Sequence, residues 1–260
     1  MTTFCIFLYI IYPLYTNKTQ NLVGDNAKFI FSSWFPFNKT EHFTLVYVLH
    51  VVAGYYGSAY AVYSDAAFFS IMIYCVGQMK ILQHYLSNIY KYSIDYQKIN
   101  NCNLDEAQIC VVKKFIVMHQ DIISFVELLD DAVKVFMMID FIMLSVKMTI
   151  LIIQFISYPV INVETSRTIT HLIATILEIS FLYWNGNEVI VQSTTGISSA
   201  IFNGDWYLMN EKAKKYVYFM MMRTERPLKI SIGPFSAVTL QAALSIIKSI
   251  YSYVAVIYKN

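Results

Sequence analysis

The chain has 260 residues, 57% of them apolar and only 14% charged, against roughly 45–50% and 25% in soluble domains. That excess of apolar surface calls for lipid. The formal net charge of +2, with basic and acidic residues interspersed, is too small and scattered to argue for nucleic acid or any strongly acidic partner, and none is expected.

Residues 1–15 hold an apolar run, Phe4 to Tyr15, that is short of the about 20 residues a membrane span requires. It reads as the remnant of a transmembrane helix cut at its N-terminal side. A secretory signal fits less well, because no basic stretch precedes the run, Pro13 lies inside it and no small-residue cleavage pattern follows. Residues 16–42 are polar and carry two glycosylation triplets, Asn17-Lys18-Thr19 and Asn38-Lys39-Thr40, as an extracellular loop would.

Residues 43–79 form an apolar stretch with Asp65 as its single formal charge. At about 1.5 Å per residue such a helix outreaches a bilayer core and must protrude into the cytosol. Two spans are not expected here, since Gly54 and Gly57 have no polar cluster around them to reverse the chain in lipid. The outer half of this helix presents Tyr47, His50, Gly54, Tyr55 and Tyr56. Aromatic walls with one polar group suit a small, mostly apolar ligand. An interfacial aromatic belt produces the same composition.

Residues 80–134 are predicted to be a cytosolic loop and an amphipathic helix. From Leu104, Ile109, Val112, Ile116, Ile123, Val126 and Val133 recur at helical spacing, and Asn103 with Glu106 has the form of a capping box. Spans follow at 135–163, with Asp140 and Lys147 two turns apart and closed by Tyr158-Pro159, and at 164–190, with Glu178 inside it. Residues 191–233 form a second cytosolic segment, with the stripe Trp206, Met209, Ala213, Val217 and Met220. The last span occupies 234–258, after Gly233-Pro234, and carries Lys248 near its middle. A lysine at that depth points to an aqueous cavity or pore.

The sum is an all-α integral membrane protein: four full transmembrane helices, a partial N-terminal one, and cytosolic helical extensions forming an anchor bundle. The stripes on those extensions fit both packing within the bundle and holding neighbouring subunits. Lys80, Lys91, Lys98, Lys113, Lys114 and Lys134 fall in one connection, and Lys212, Lys214, Lys215, Arg223, Arg226 and Lys229 in another. Basic connections face the cytosol, which leaves the C-terminus outside.

Five histidines, His42, His50, His84, His119 and His171, are dispersed along the chain, and Cys5, Cys75, Cys102 and Cys110 show no paired spacing. No metal site, cofactor site or enzyme motif is expected from them.

Several motifs together resemble the insect odorant receptor family. Tyr183-Trp184-Asn185-Gly186-Asn187-Glu188-Val189-Ile190 is similar to its pattern after the sixth span, and Trp206-Tyr207 to the aromatic pair that follows. Arg223-Thr224-Glu225-Arg226-Pro227-Leu228 and Ser249-Ile250-Tyr251-Ser252-Tyr253 resemble its basic-proline element and seventh-span signature. Trp34-Phe35-Pro36-Phe37 resembles its second extracellular loop. Gly77-Gln78-Met79-Lys80-Ile81-Leu82 resembles the end of its fourth span, although Val76 separates Cys75 from the Gly-Gln pair where the family often has them adjacent.

The resemblance starts near the end of the family's third span and implies a seven-helix subunit of the plasma membrane of olfactory sensory neurons. Such a subunit would bind a small volatile odorant and join a coreceptor in a hetero-oligomer, a tetramer, that forms an odorant-gated nonselective cation channel in membrane lipid. By the same resemblance the ligand pocket would include Tyr47, His50, Gly54, Tyr55 and Ile173. Lys248, Tyr253 and Val256 would line the pore, Val256 at the hydrophobic gate. Trp206, Met209, Val217, Arg226 and Pro227 would belong to the cytosolic anchor. A gustatory-type chemosensory channel, a G-protein-coupled receptor and an inactive fragment are the alternatives. The coreceptor requirement separates the first, the side of the C-terminus the second.

Overall fold

The computed structural model describes residues 13–14, 17–18, 29–31, 33–39, 41–157 and 163–259. The predicted span remnant at 1–15 therefore lies largely outside the described residues, as do the Tyr158-Pro159 turn and parts of the first loop. Helix α1 runs Phe43–Ser87 and α2 Ile89–Asn100; α3 is Leu104–Ser157 and α4 Val163–Val191. A π-helical turn, Gln192–Gly196, leads into α5 (Ile197–Phe202), and a short 3₁₀ turn, Trp206–Leu208, precedes α6 (Glu211–Thr224). Strands β1 (Ser231–Ile232) and β2 (Ser236–Ala237) form an antiparallel hairpin before α7 (Leu240–Lys259).

The 45 residues of α1 and 54 of α3 correspond to helices of about 68 Å and 81 Å, more than twice a hydrocarbon core of about 30 Å. These two are, among the described residues, the helices long and apolar enough to cross a membrane by those measures. Their most apolar windows are only 11% and 22% buried, so the apolar surface is not covered by the protein's own packing. Side chains such as Val48, Val52, Phe136, Ile139 and Ile150 stand exposed in rows. Such surface belongs against lipid or another chain.

The chain divides into two compact units. The first comprises residues 1–68, 144–178 and 250–260, and the second 69–143 and 179–249. In the second unit the core is continuous: Met72, Met79, Leu82 and Leu86 of α1, Val112 and Val126 of α3, Tyr183 and Val189 of α4, Ile197 and Ile201 of α5, and Val217 of α6 are all buried.

Element ends have local causes. At the end of α1 the Ser87 hydroxyl bonds the Gln83 carbonyl and the Asn88 amide that of His84, which turns the chain into α2. Asn101 ends α2 in the left-handed region at φ 48°, a conformation asparagine tolerates. In α6, Asn210 is the cap: its Oδ1 accepts from the Ala213 N–H at 2.8 Å.

Two sequence expectations are corrected here. The buried face of α3 runs through Gln108, Val111, Phe115, His119, Ile122, Val126 and Leu129, and of the predicted stripe only Val112 and Val126 are buried. Ile109, Ile116, Ile123 and Val133 sit on its half-buried flank. The helix is apolar on more than one side, so branched residues alone do not mark the inner face. The stripe from Trp206 to Met220 is likewise not one helix, because Met209 and Asn210 are extended and α6 begins only at Glu211.

The segment between α6 and α7 is pinned rather than loose. Ser231 donates from its N–H to Asp130 Oδ1 at 2.5 Å and from its hydroxyl to Oδ2 at 3.2 Å. The Gly233 N–H bonds the Lys134 carbonyl at 3.0 Å, and Leu228 N–H the Ser193 hydroxyl at 3.1 Å. Gly233 takes φ +51°, where a side chain would be strained, and a Cβ there would come within 3.0 Å of the Met138 side chain.

Candidate functional site

In the first unit, the extended stretch around Ser33 lies against the N-terminal part of α1 and packs around His50. The imidazole is 5% exposed. Its Nε2 is 2.7 Å from the Ser33 hydroxyl, while Nδ1 is buried and, among the described residues, has no hydrogen-bond partner. Three rings surround it: Phe29, Phe31 and Phe35, with centroids at 6.1, 5.6 and 5.8 Å. Ser33 is itself held by Lys39, whose ammonium donates to its carbonyl. A buried polar atom left unmatched is costly, so this aromatic chamber holds one unused hydrogen-bonding position in an otherwise apolar wall.

The sequence-derived pocket residues separate. Tyr47 is buried, stacked on Phe43 at 5.8 Å, and a Cβ on Gly54 would meet Phe31 at an ordinary 3.5 Å. These two join His50 in the chamber. Tyr55 does not: it is 62% exposed and meets Tyr56 edge-on. Ile173, on α4, is exposed as well. Ser33, Phe29 and Phe31 were not singled out from sequence, because an irregular segment has no periodicity to reveal which helix face it covers.

Further along the first unit, the Lys147 ammonium is 3.0 Å from Glu178 Oε2, tying α3 to α4. Asp65 on α1 is within electrostatic reach of both, and His171 of both and of Arg167. Ionisable groups inside spans are stabilised by such pairing.

On α7, Lys248 and Tyr253 are exposed, and the Val256 side chain lies outside the described residues. Trp206 is half-buried in its 3₁₀ turn, Met209 and Val217 are buried, and Arg226 and Pro227 are exposed. The Arg226 carbonyl accepts from Arg223 Nη1 at 3.0 Å. Asn38 is exposed, its amide 3.2 Å from Glu41, and Asn17 is half-buried; Thr40 and Thr19 of the two triplets lie outside the described residues. Among the described residues no three His, Cys, Asp or Glu side chains are grouped to hold a metal.

Asn210 and Gln108 emerge as residues that sequence reasoning missed. The Asn210 N–H bonds Gln108 Oε1 at 2.8 Å and its amide reaches the Asp105 carbonyl at 3.1 Å, joining the starts of α3 and α6.

Long helices with uncovered apolar faces, ionisable groups paired between helices and an aromatic chamber holding one polar group define a helical membrane receptor. The family described as 7tm Odorant receptor matches residues 1–251, and the chain belongs to it. It is similar to Odorant receptor 10 of Aedes albopictus, with 25% identity over 216 residues, 83% of this chain and 55% of that protein. It is also similar to the Odorant receptor coreceptor of Harpegnathos saltator, with 24% identity over 56% of this chain and 30% of the other. In fold it matches the insect olfactory receptor OR5 from Machilis hrabei in complex with eugenol, at a TM-score of 0.81 and 17% identity, over 99% of this chain and 63% of that one. The chain thus spans between about half and two thirds of the length of these two receptors.

Proposed function

We propose that the chain is a non-catalytic odorant receptor subunit that binds a small volatile ligand and, with a coreceptor, forms an odorant-gated nonselective cation channel. Family membership supports the receptor role, coreceptors among its relatives support the partnership, and the eugenol complex of the fold neighbour supports the ligand class. The observation that carries the ligand reading is the His50 chamber, three phenylalanines around an imidazole with one unmatched nitrogen. In this reading α1, α3, α4 and α7 are the spans, the basic connections 80–134 and 191–233 face the cytosol, and the C-terminus is outside. Met209 and Val217 belong to the anchor that joins subunits in a tetramer, and α7 lines the pore with Lys248, Tyr253 and Val256.

Coexpression with a coreceptor and recording of odorant-evoked current tests the proposal. Substitution His50→Phe keeps an aromatic ring, somewhat larger than imidazole, and removes both polar nitrogens, the one facing Ser33 included. It is expected to raise the half-maximal concentration of hydrogen-bonding odorants roughly tenfold, the equivalent of one hydrogen bond, with surface delivery unchanged. Absence of current across a broad odorant panel, with the protein at the surface, sinks the channel reading.

A further inference from the structure

A cavity lies in the second unit, between α3 and α6, well away from His50 in sequence. It measures about 550 Å³, within the range of roughly 300–1,000 Å³ typical of small-molecule sites. Its walls are mainly apolar, among them Ile116, Phe219 and Met220. The charged groups lining it are both cations, Lys113 and Arg223, and no carboxylate lines it. Glu127 meets Arg223 only at 3.8 Å, from outside the lining.

The wall also contains His119, which is 5% exposed. Among the described residues no protein group hydrogen-bonds its imidazole, although it lines the cavity beside Gln120. Burial and the neighbouring Arg223 hold its pKa down to about 4, so at neutral pH the ring is uncharged, with one nitrogen to donate and one to accept. An apolar cavity lined by two cations and a neutral imidazole matches a molecule with an anionic head and an apolar body.

We infer that this cavity binds a small amphipathic organic carboxylate, with the head between Lys113 and Arg223 and the body against Ile116, Phe219 and Met220. The guanidinium offers charge-assisted, forked hydrogen bonds to such a head, and Gln120 and His119 supply neutral ones. This site does not rest on the channel reading, because it uses neither α7 nor the His50 chamber.

The test uses the full chain in detergent and 4-benzoylbenzoate, a photoreactive aromatic carboxylate, followed by peptide mapping. Labelling is expected within 113–123 and 216–223, competed by excess biphenyl-4-carboxylate and at least tenfold less by its methyl ester. Substitution Arg223→Gln is expected to cut labelling about tenfold or more, the loss of one charge-assisted contact, and Arg223→Lys to retain most of it. The comparison of acid with ester needs no variant and decides the matter if Arg223→Gln fails to fold. Equal competition by the ester overturns the inference. So does labelling confined to other segments, or a cavity found occluded by a second copy of the chain.

Discussion

His119 illustrates how one buried side chain sets a pH response. Its ordinary pKa is 6.5 and the folded chain holds it at about 4, so between those values the unfolded chain takes up a proton that the folded chain refuses. Stability is therefore complete above about pH 6.5, declines as pH falls toward 4, and levels off below. Melting temperature measured in detergent across that window should show the decline, and His119→Gln should flatten it. A histidine among Val112, Phe115 and Ile122 gives no sign in sequence of being shielded, since the same residue at a flank position is solvated. Its depth follows from where α6 packs.

At the scale of elements, Asn210 and Gly186 carry more than their size suggests. Asn210 caps α6 and also ties it to Asp105 and Gln108 of α3, so Asn210→Ala is expected to destabilise by about 1–2 kcal/mol, the upper part of the range for a lost cap. Chemical unfolding in detergent reads this directly. Gly186 is packed so that a Cβ would come within 2.5 Å of both Val238 Cγ1 and the Val238 carbonyl oxygen. In an open helix the change to alanine gains about 1 kcal/mol. Here overpacking costs about 1–3 kcal/mol, and the carbonyl cannot swing aside, so Gly186→Ala should lower stability in the same assay.

The sequence marks Gly186 through its motif and the long helices through their apolar runs. It does not mark α2, whose aromatic and branched residues carry no clear helical stripe. Nor does it mark the π turn at Gln192–Gly196. There Thr194 and Thr195 hydroxyls bond carbonyls of the preceding turn, and Gln83 of α1 donates to the Gln192 carbonyl and Oε1. That departure depends on a partner 109 positions away, which no local pattern reveals. The His50 chamber divides the same way: the helix supplied Tyr47, His50 and Gly54 to the sequence reading, whereas Phe29, Phe31 and Ser33 arrive from a segment placed only by tertiary packing.

For the whole molecule, the apolar faces of α1 and α3 are left uncovered by the chain's own packing, and charges among such faces need local balance. Lys147 and Glu178 form that balance between α3 and α4. Removing one partner strands the other, whereas removing both does not. Lys147→Met or Glu178→Met alone should therefore lower the melting temperature more than the double variant, and the exchange Lys147→Glu with Glu178→Lys should recover part of the loss. Sequence placed both ionisable groups inside spans but not their pairing, because helix order along the chain does not give the rotation of each helix about its axis.

The hairpin between α6 and α7 bears on how force travels through the second unit. With Ser231 held by Asp130, Gly233 by the Lys134 carbonyl, and Ile230, Ile232 and Val238 buried, the connection has no slack to absorb a displacement. It behaves as a rigid coupling. A shift of α3 near Asp130 is expected to reach the first turns of α7 as translation, because two hydrogen bonds tie the hairpin to α3.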